Sequence, residues 1–183
     1  GTQSDLLGQV LLGRGLTNIL HTTTGGGFRE FIEGDSYAAK RSKEITNSGA
    51  LSPEFLAIWN WSNIFIQKIT GSETIILDGA PRRMAEVEAL HSAIKFFGYE
   101  KPTVIYLDVS ETWAMDKLAS RGREDDRERE EQERKMGWFA QDVLPCVDAY
   151  SRDPRYSYIH VNGEQSVEDV HNELIEKLDA IRN

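Results

Sequence analysis

Short β-rich apolar runs recur along this chain, each separated from the next by a stretch of helical periodicity. "TIILD" (74–78) and "TVIYLDV" (103–109) are the clearest, with "YSYIHV" (156–161) and "TNILH" (17–21) as weaker examples. The runs are nearly continuous in apolar character. A strand of that kind must be covered on both faces, which points to parallel pairing. Between them, residues 83–97 read as a helix ending near Gly98, and 111–120 as another. "DVHNELIEKLDAI" (169–181) is amphipathic, with Val170, Leu174, Leu178 and Ile181 on one side. Strand alternating with helix restricts the fold class to α/β: a parallel sheet flanked by helices.

Two regions stand apart from this alternation. The opening "GTQSDLLGQV" sets Leu6, Leu7, Val10 and Leu11 at helical spacing, with no strand before them. Residues 28–70 read as helices and turns without a strong strand. Within them "GALSPEF" (49–55) is a break, and Pro53 suits a helix start. "FLAIWNWSNIFIQKI" (55–69) is apolar around most of its circumference, so Trp59 and Trp61 are expected in the core and not on a stacking platform.

A length of 183 residues fits one domain with small inserted lobes. The net charge of −9 argues against general binding to nucleic acid or to anionic membranes, which requires a basic field. It leaves room for a small anionic substrate held by a local arginine cluster. The single cysteine, Cys146, excludes an internal disulfide and a cysteine-based zinc site, and suits a reducing compartment. No apolar run reaches the ~18 residues that a membrane span needs.

Four segments have residues that suit chemistry. In "LDGAPRR" (77–83) an apolar strand ends at Asp78, and ligands in parallel sheets bind beyond such ends. Asp78 is placed to hold a metal-bound water, Gly79 to allow close backbone approach, and Arg82 to clasp a phosphate in a bidentate fork. A turn with an aspartate cap and a surface arginine is the alternative. In "TTTGGGFR" (22–29), hydroxyls, three glycines and Arg29 form either an anion cradle or a flexible strand-to-helix loop. "RGREDDREREEQERK" (121–135) places Arg123 and Arg134 eleven residues apart, close to three helical turns, with Asp125 and Asp126 near its start. Its glutamates, Glu128, Glu130, Glu131 and Glu133, read as a solvated face. In "VNGEQS" (161–166) a strand ends at Asn-Gly, and Ser166 is positioned as the N-cap of the last helix. His21, His91, His160 and His171 are scattered without metal-ligand spacing and read as structural.

In this order the motifs resemble those of the adenylate kinase branch of the nucleoside monophosphate kinases, a P-loop kinase family, from Gly1 to the final helix. Gly1-Thr2-Gln3 is similar to the residues that follow the family's Gly-rich phosphate loop and its lysine, so the resemblance implies that Gly1 and Thr2 face the donor phosphates. "TTTGGGFR" is similar to Ser/Thr-Thr-Gly-Asp-x-x-Arg, which implies that Thr24 and Arg29 contact the acceptor nucleotide. "GALSPE" is similar to the turn over the acceptor base, at Leu51 and Ser52. "LDGAPRR" resembles Leu-Asp-Gly-Phe-Pro-Arg, which implies Asp78 in the Mg²⁺ shell through water and Gly79 and Arg82 on the acceptor. "REDD" with a trailing arginine implies that Arg121, Arg123 and Arg134, with Asp125 and Asp126, surround the transferring phosphoryl group. "NGEQS" implies Gly163 and Gln165 beside the donor adenine.

The resemblance implies a single kinase-like domain, with a core at 1–27, 71–120 and 136–183. A helical monophosphate-binding lobe at 28–70 and a reduced lid at 121–135 complete it. It implies transfer of the ATP γ-phosphoryl group to AMP with Mg²⁺, by a cytoplasmic monomer whose partners are nucleotides, without nucleic acid or membrane. Such transfer needs positioning, a metal and positive charge around the phosphoryl group more than covalent chemistry. Arg29, Arg82, Arg121, Arg123 and Arg134 supply the charge, and their mutual repulsion predicts an open empty state that closes on substrate.

Departures from the family pattern set further expectations. Gly26 stands where the family has aspartate, Ala80 where it has phenylalanine, and Glu86 where a glutamine reads adenine. An ionised glutamate presents acceptors only, so Glu86 is expected to shift preference from AMP toward guanine, to be protonated in the complex, or to turn away. The compressed lid predicts some wasteful ATP hydrolysis. A strand, glycine loop and lysine are expected upstream of Gly1, since a chain without them would expose strand edges. Rival readings are a binding module of the same fold that has lost catalysis, and another small phosphotransferase.

Overall fold

The computed structural model describes residues 1–47, 52–120 and 129–181. They form two compact units, Gly1–Tyr99 and Glu100–Asn183.

In the first unit, helix α1 (Thr2–Gly13) buries Leu7 and Leu11, one turn apart on the face that the opening residues predicted. Strands β1 (Ile19–Thr23) and β2 (Thr74–Asp78) pair in parallel, with Ile19 opposite Thr74 and Thr23 opposite Asp78. That register makes both strands end at the same edge. Helix α2 (Thr24–Ile32) follows β1 without a linking loop, and α3 (Tyr37–Asn47) comes next. Helix α4 (Glu54–Lys68) starts directly after Pro53, as expected from the fixed φ of proline. Helix α5 (Met84–Phe96) ends before Gly98, whose φ of +76° turns the chain away.

Trp61, Phe65 and Leu90 form the core between α4 and α5, with Ile75 and Leu77 of β2, Ile94 and Phe97 packed on them. The Trp61 and Phe65 rings meet edge-on at 5.5 Å. Truncating a buried aromatic of this kind costs about 3–5 kcal/mol. Trp59 departs from the expectation that both tryptophans are core. It is 43% exposed, and its ring lies 5.0 Å from Phe31 of α2. Two residues along a helix is roughly 200° of rotation, so a helix packed on one side buries one of the pair and not the other.

The second unit contains β3 (Thr103–Asp108), α6 (Glu111–Ser120), α7 (Arg129–Trp138), α8 (Leu144–Arg152), β4 (Ser157–Asn162) and α9 (Val167–Ala180). β3 and β4 are parallel, with Thr103 opposite Ser157 and Asp108 opposite Asn162. Ile159 and Val161 of β4 and the Val170, Leu174, Leu178 stripe of α9 are buried, and the two elements pack together. A π-helical turn, Phe139–Val143, joins α7 to α8. Pro145 explains it: proline has no N–H to donate and its ring crowds the carbonyl four residues earlier.

Glu73 locks the turn that leads into β2. Its carboxylate accepts the amides of Thr70, Gly71 and Ser72 and the Thr70 hydroxyl, the last at 2.5 Å. The Thr70 hydroxyl and these amides hold the Glu73 carboxyl down at about 2 against the opposing effect of burial. A depressed folded-state pKa stabilises at pH above the ordinary value of 4.5, and the contribution is lost as pH falls toward about 2. Thermal melts of Glu73→Gln should show a lower Tm at neutral pH and a flatter pH dependence in that acid window than the wild type.

Candidate functional site

The shared edge of β1 and β2 sets the geometry. Because Thr23 lies opposite Asp78, the first turn of α2 and the turn after β2 leave the strands side by side. The Thr24 hydroxyl donates to the Gly79 carbonyl at 2.8 Å, and Arg82 Nε donates to the same oxygen at 2.9 Å. Three residues assigned to the acceptor from sequence thus converge on one carbonyl oxygen. Gly79 is required there twice over. Its φ is +84°, and a Cβ would lie 3.0 Å from Thr24 Oγ1 and 3.2 Å from Arg82 Nη2.

The three glycines of "TTTGGGFR" are not a flexible loop. They lie inside the first turn of α2, where Thr23 is the N-cap and its hydroxyl accepts the Gly26 amide at 3.3 Å. A Cβ on Gly26 would approach Thr23 Oγ1 to 2.6 Å, and one on Gly27 would approach Asn60 Oδ1 to 2.7 Å. A Cβ on Gly25 would lie 3.2 Å from Arg29 Nη1, so the exposed Arg29 side chain folds back along its own helix toward the N-terminus. Backbone amides, the helix dipole and two arginines suit an anionic group at this edge.

Arg82 is exposed as a residue, yet local desolvation of its guanidinium pulls its pKa below the usual arginine value, while the Glu86 carboxylate opposes that shift. Glu86 is only 3% exposed and accepts the Arg82 amide at 3.2 Å. Burial raises its pKa, while the Arg82 amide, the Arg82 and Arg83 charges and the Trp61 indole favour the carboxylate. The Glu86 carboxylate is directed at the Arg82 amide. It braces the turn that holds Arg82. Arg83 Nη1 donates to the Ser52 carbonyl at 2.8 Å, tying the turn after β2 to the segment before α4. Leu51 lies outside the described residues.

Gly1 occupies the N-cap of α1 and Thr2 its first position. Ser4 Oγ lies 2.7 Å from the Gly1 carbonyl and 2.7 Å from Asp78 Oδ2. The Asp78 side chain is 32% exposed, so the carboxylate is accessible at the helix N-terminus. Among the described residues no group of three or more His, Cys, Asp and Glu forms a metal cage. A single accessible carboxylate fits Mg²⁺, which keeps most of its waters and is bound through one or two carboxylates plus phosphate oxygens.

In the second unit Gly163 follows β4 and donates its amide to the Asp108 carbonyl at 2.8 Å. A Cβ there would meet Val109 Cγ1 at 2.6 Å. Gln165 Nε2 donates to the Asn162 carbonyl at 2.9 Å and to Glu173 Oε2 at 2.6 Å. Ser166 caps α9 as expected, its hydroxyl accepting the Asp169 amide. Arg134 is half-buried on α7, while Arg121, Arg123, Asp125 and Asp126 lie outside the described residues. His160 pairs with Asp108 at 2.9 Å, and in the first unit His21 lies 3.4 Å from Asp5.

Three contributors escaped the sequence reading: Ser4, Arg83 and Asn60. Asn60 left a signal. It stands between two tryptophans in an apolar helix, and a buried carboxamide there demands a partner.

No protein-family model matches the chain. Among individual proteins, it is 30% identical over 164 residues to an adenylate kinase of Phocaeicola vulgatus, covering 87% of this chain and 82% of that one. It is 29% identical over 174 residues to Adenylate kinase 1 of Nostoc sp., covering 95% and 89%. An adenylate kinase of Corynebacterium urealyticum matches at 28% over 170 residues, covering 93% and 87%. With the strand edge, the glycine turn and the Asp78–Arg82 segment in place, these similarities establish that the chain belongs to the adenylate kinase family. Among the described residues no helix is long and apolar enough to cross a membrane.

Gly79→Ala should destabilise the protein by about 1–2 kcal/mol from the left-handed backbone alone. It should also push Thr24 and Arg82 off their shared carbonyl. Urea denaturation and acceptor-nucleotide binding, measured on the same variant, should both be weakened.

Proposed function

We propose that this protein is an adenylate kinase, transferring the γ-phosphoryl group of ATP reversibly to AMP. The observation that carries this reading is the convergence of Thr24 and Arg82 on Gly79 at the carboxyl edge of β1 and β2, in a chain of this family. Thr24, Arg29 and Arg82 hold the acceptor phosphate, and the Leu51–Ser52 segment covers its base. Arg82 serves as a fork whose geometry is set in advance by the Gly79 carbonyl and by Glu86 behind its amide.

On the donor side, Gly1 and Thr2 present the N-terminus of α1 to the phosphates of ATP, and Gly163 and Gln165 flank the adenine. Arg121, Arg123 and Arg134, with Asp125 and Asp126, surround the group in transfer. Asp78 would hold Mg²⁺, which would supply charge neutralisation on the donor phosphates. None of these groups forms a bond to substrate. Their work is to align two nucleotides, gather positive charge on the transferring phosphoryl group and keep water away. The enzyme acts as a cytoplasmic monomer on free nucleotides. A module without catalysis is not favoured, because relatives at this similarity over most of the chain are named adenylate kinases.

The test is a coupled assay of the full chain with ATP and Mg²⁺ against AMP, GMP, CMP and UMP. AMP should be the preferred acceptor, and two ADP should appear per turnover. Loss of the charge-assisted contacts in Arg82→Ala, worth about 1.5–3 kcal/mol, should raise the KM for AMP by about tenfold to a hundredfold while the KM for ATP moves little. Absence of ADP formation by the wild type with any acceptor contradicts the reading.

A further inference from the structure

Asn60 has no assigned role, and its surroundings are unusual for a helix packed on a core. It lies on α4 between exposed Trp59 and buried Trp61, and only 6% of its own surface is exposed. Its Nδ2 donates to the Thr24 carbonyl at 2.8 Å. Its Oδ1 occupies the space beside Gly27, 2.7 Å from where a Cβ would be. A buried carboxamide is costly unless bonded, so this one is tied to the position of the α2 turn. The Thr24 residue it grips is the one whose hydroxyl reaches the Gly79 carbonyl, where Arg82 also docks. A continuous path of contacts runs from α4 through Asn60 and Thr24 to Gly79 and Arg82.

We infer that Asn60 is a positioning residue for the acceptor phosphate, working as a matched pair with Gly27; the inference rests on the kinase reading above. The glycine leaves a gap in the side of α2, and the carboxamide fills it and fixes the height of the first turn against α4. Thr24 and the amides of that turn are thereby placed relative to Arg82 without Asn60 touching substrate. Neither half of the pair is effective alone. A side chain at position 27 collides with the carboxamide, and a truncated residue 60 leaves the Thr24 carbonyl without this donor.

The experiment compares Asn60→Ala, the near-isosteric Asn60→Asp, Gly27→Ala and the double variant Gly27→Ala/Asn60→Ala in the full chain. KM for AMP, KM for ATP, kcat and Tm are measured for each. Each single variant should raise the KM for AMP by about tenfold, since displacement of positioning groups by about 1 Å has effects of this order or larger, with the KM for ATP unchanged. The double variant should bind AMP no worse than Asn60→Ala, because the methyl added at position 27 then occupies vacated space. Should Asn60→Ala fail to fold, Asn60→Asp and Gly27→Ala carry the same prediction. A fall in Tm with unchanged KM for AMP, or equal rises in both KM values, overturns the positioning role. A wild type without ATP–AMP transfer overturns the kinase reading itself, and with it the role of Asn60; that result is read before any variant is made.

Discussion

Two donors from different parts of the chain, the Thr24 hydroxyl and Arg82 Nε, converge on the carbonyl oxygen of Gly79. That convergence is possible only because β1 and β2 run parallel in a register that ends both at one edge. A slip of one residue would move Thr24 away from Gly79 and reverse the faces of every strand side chain. The left-handed backbone at Gly79 then aims the carbonyl, and the absence of a Cβ leaves space for both donors. Behind this lie two buried polar braces, Glu86 under the Arg82 amide and Asn60 under the Thr24 carbonyl.

The electrostatics follow the same division between local and global. A net charge of −9 gives the protein no general attraction for polyanions. The local groups at the strand edge suit a small anion: the helix N-terminus, the amides of the glycine turn and two arginines. Glu86 favours the charged form of Arg82, opposing the local desolvation that lowers the pKa of this exposed residue. Its own pKa is raised by burial, so the pair is mutually adjusted and not simply two independent charges.

Much of this was legible from residue pattern alone. The run "TIILD" became β2 over the same five residues, because β-rich apolar character covered on both faces has few alternatives. Ser166 was readable as a cap because its hydroxyl acts within its own turn. Three features were not legible, and each depends on packing between distant segments. The glycine run looks like a loop by helix propensity, yet it is helical because Thr23 caps it and Asn60 anchors it. Trp59 and Trp61 share an apolar helix, and only the position of α5 and β2 decides that Trp61 is the buried one. The burial of Glu86 beside the Arg82 amide depends on the approach of Trp61 from α4.

The central claim is that the carboxyl edge of β1 and β2 holds the acceptor phosphate. Titrating AMP into ¹⁵N-labelled full chain and following backbone amide resonances measures this most directly. The account predicts that the largest saturable shifts fall on Gly25, Gly26, Gly27, Gly79 and Arg82, with the Arg82 side-chain Nε–H moving alongside them. Saturable shifts confined to other parts of the chain, with these five amides unmoved, would contradict it.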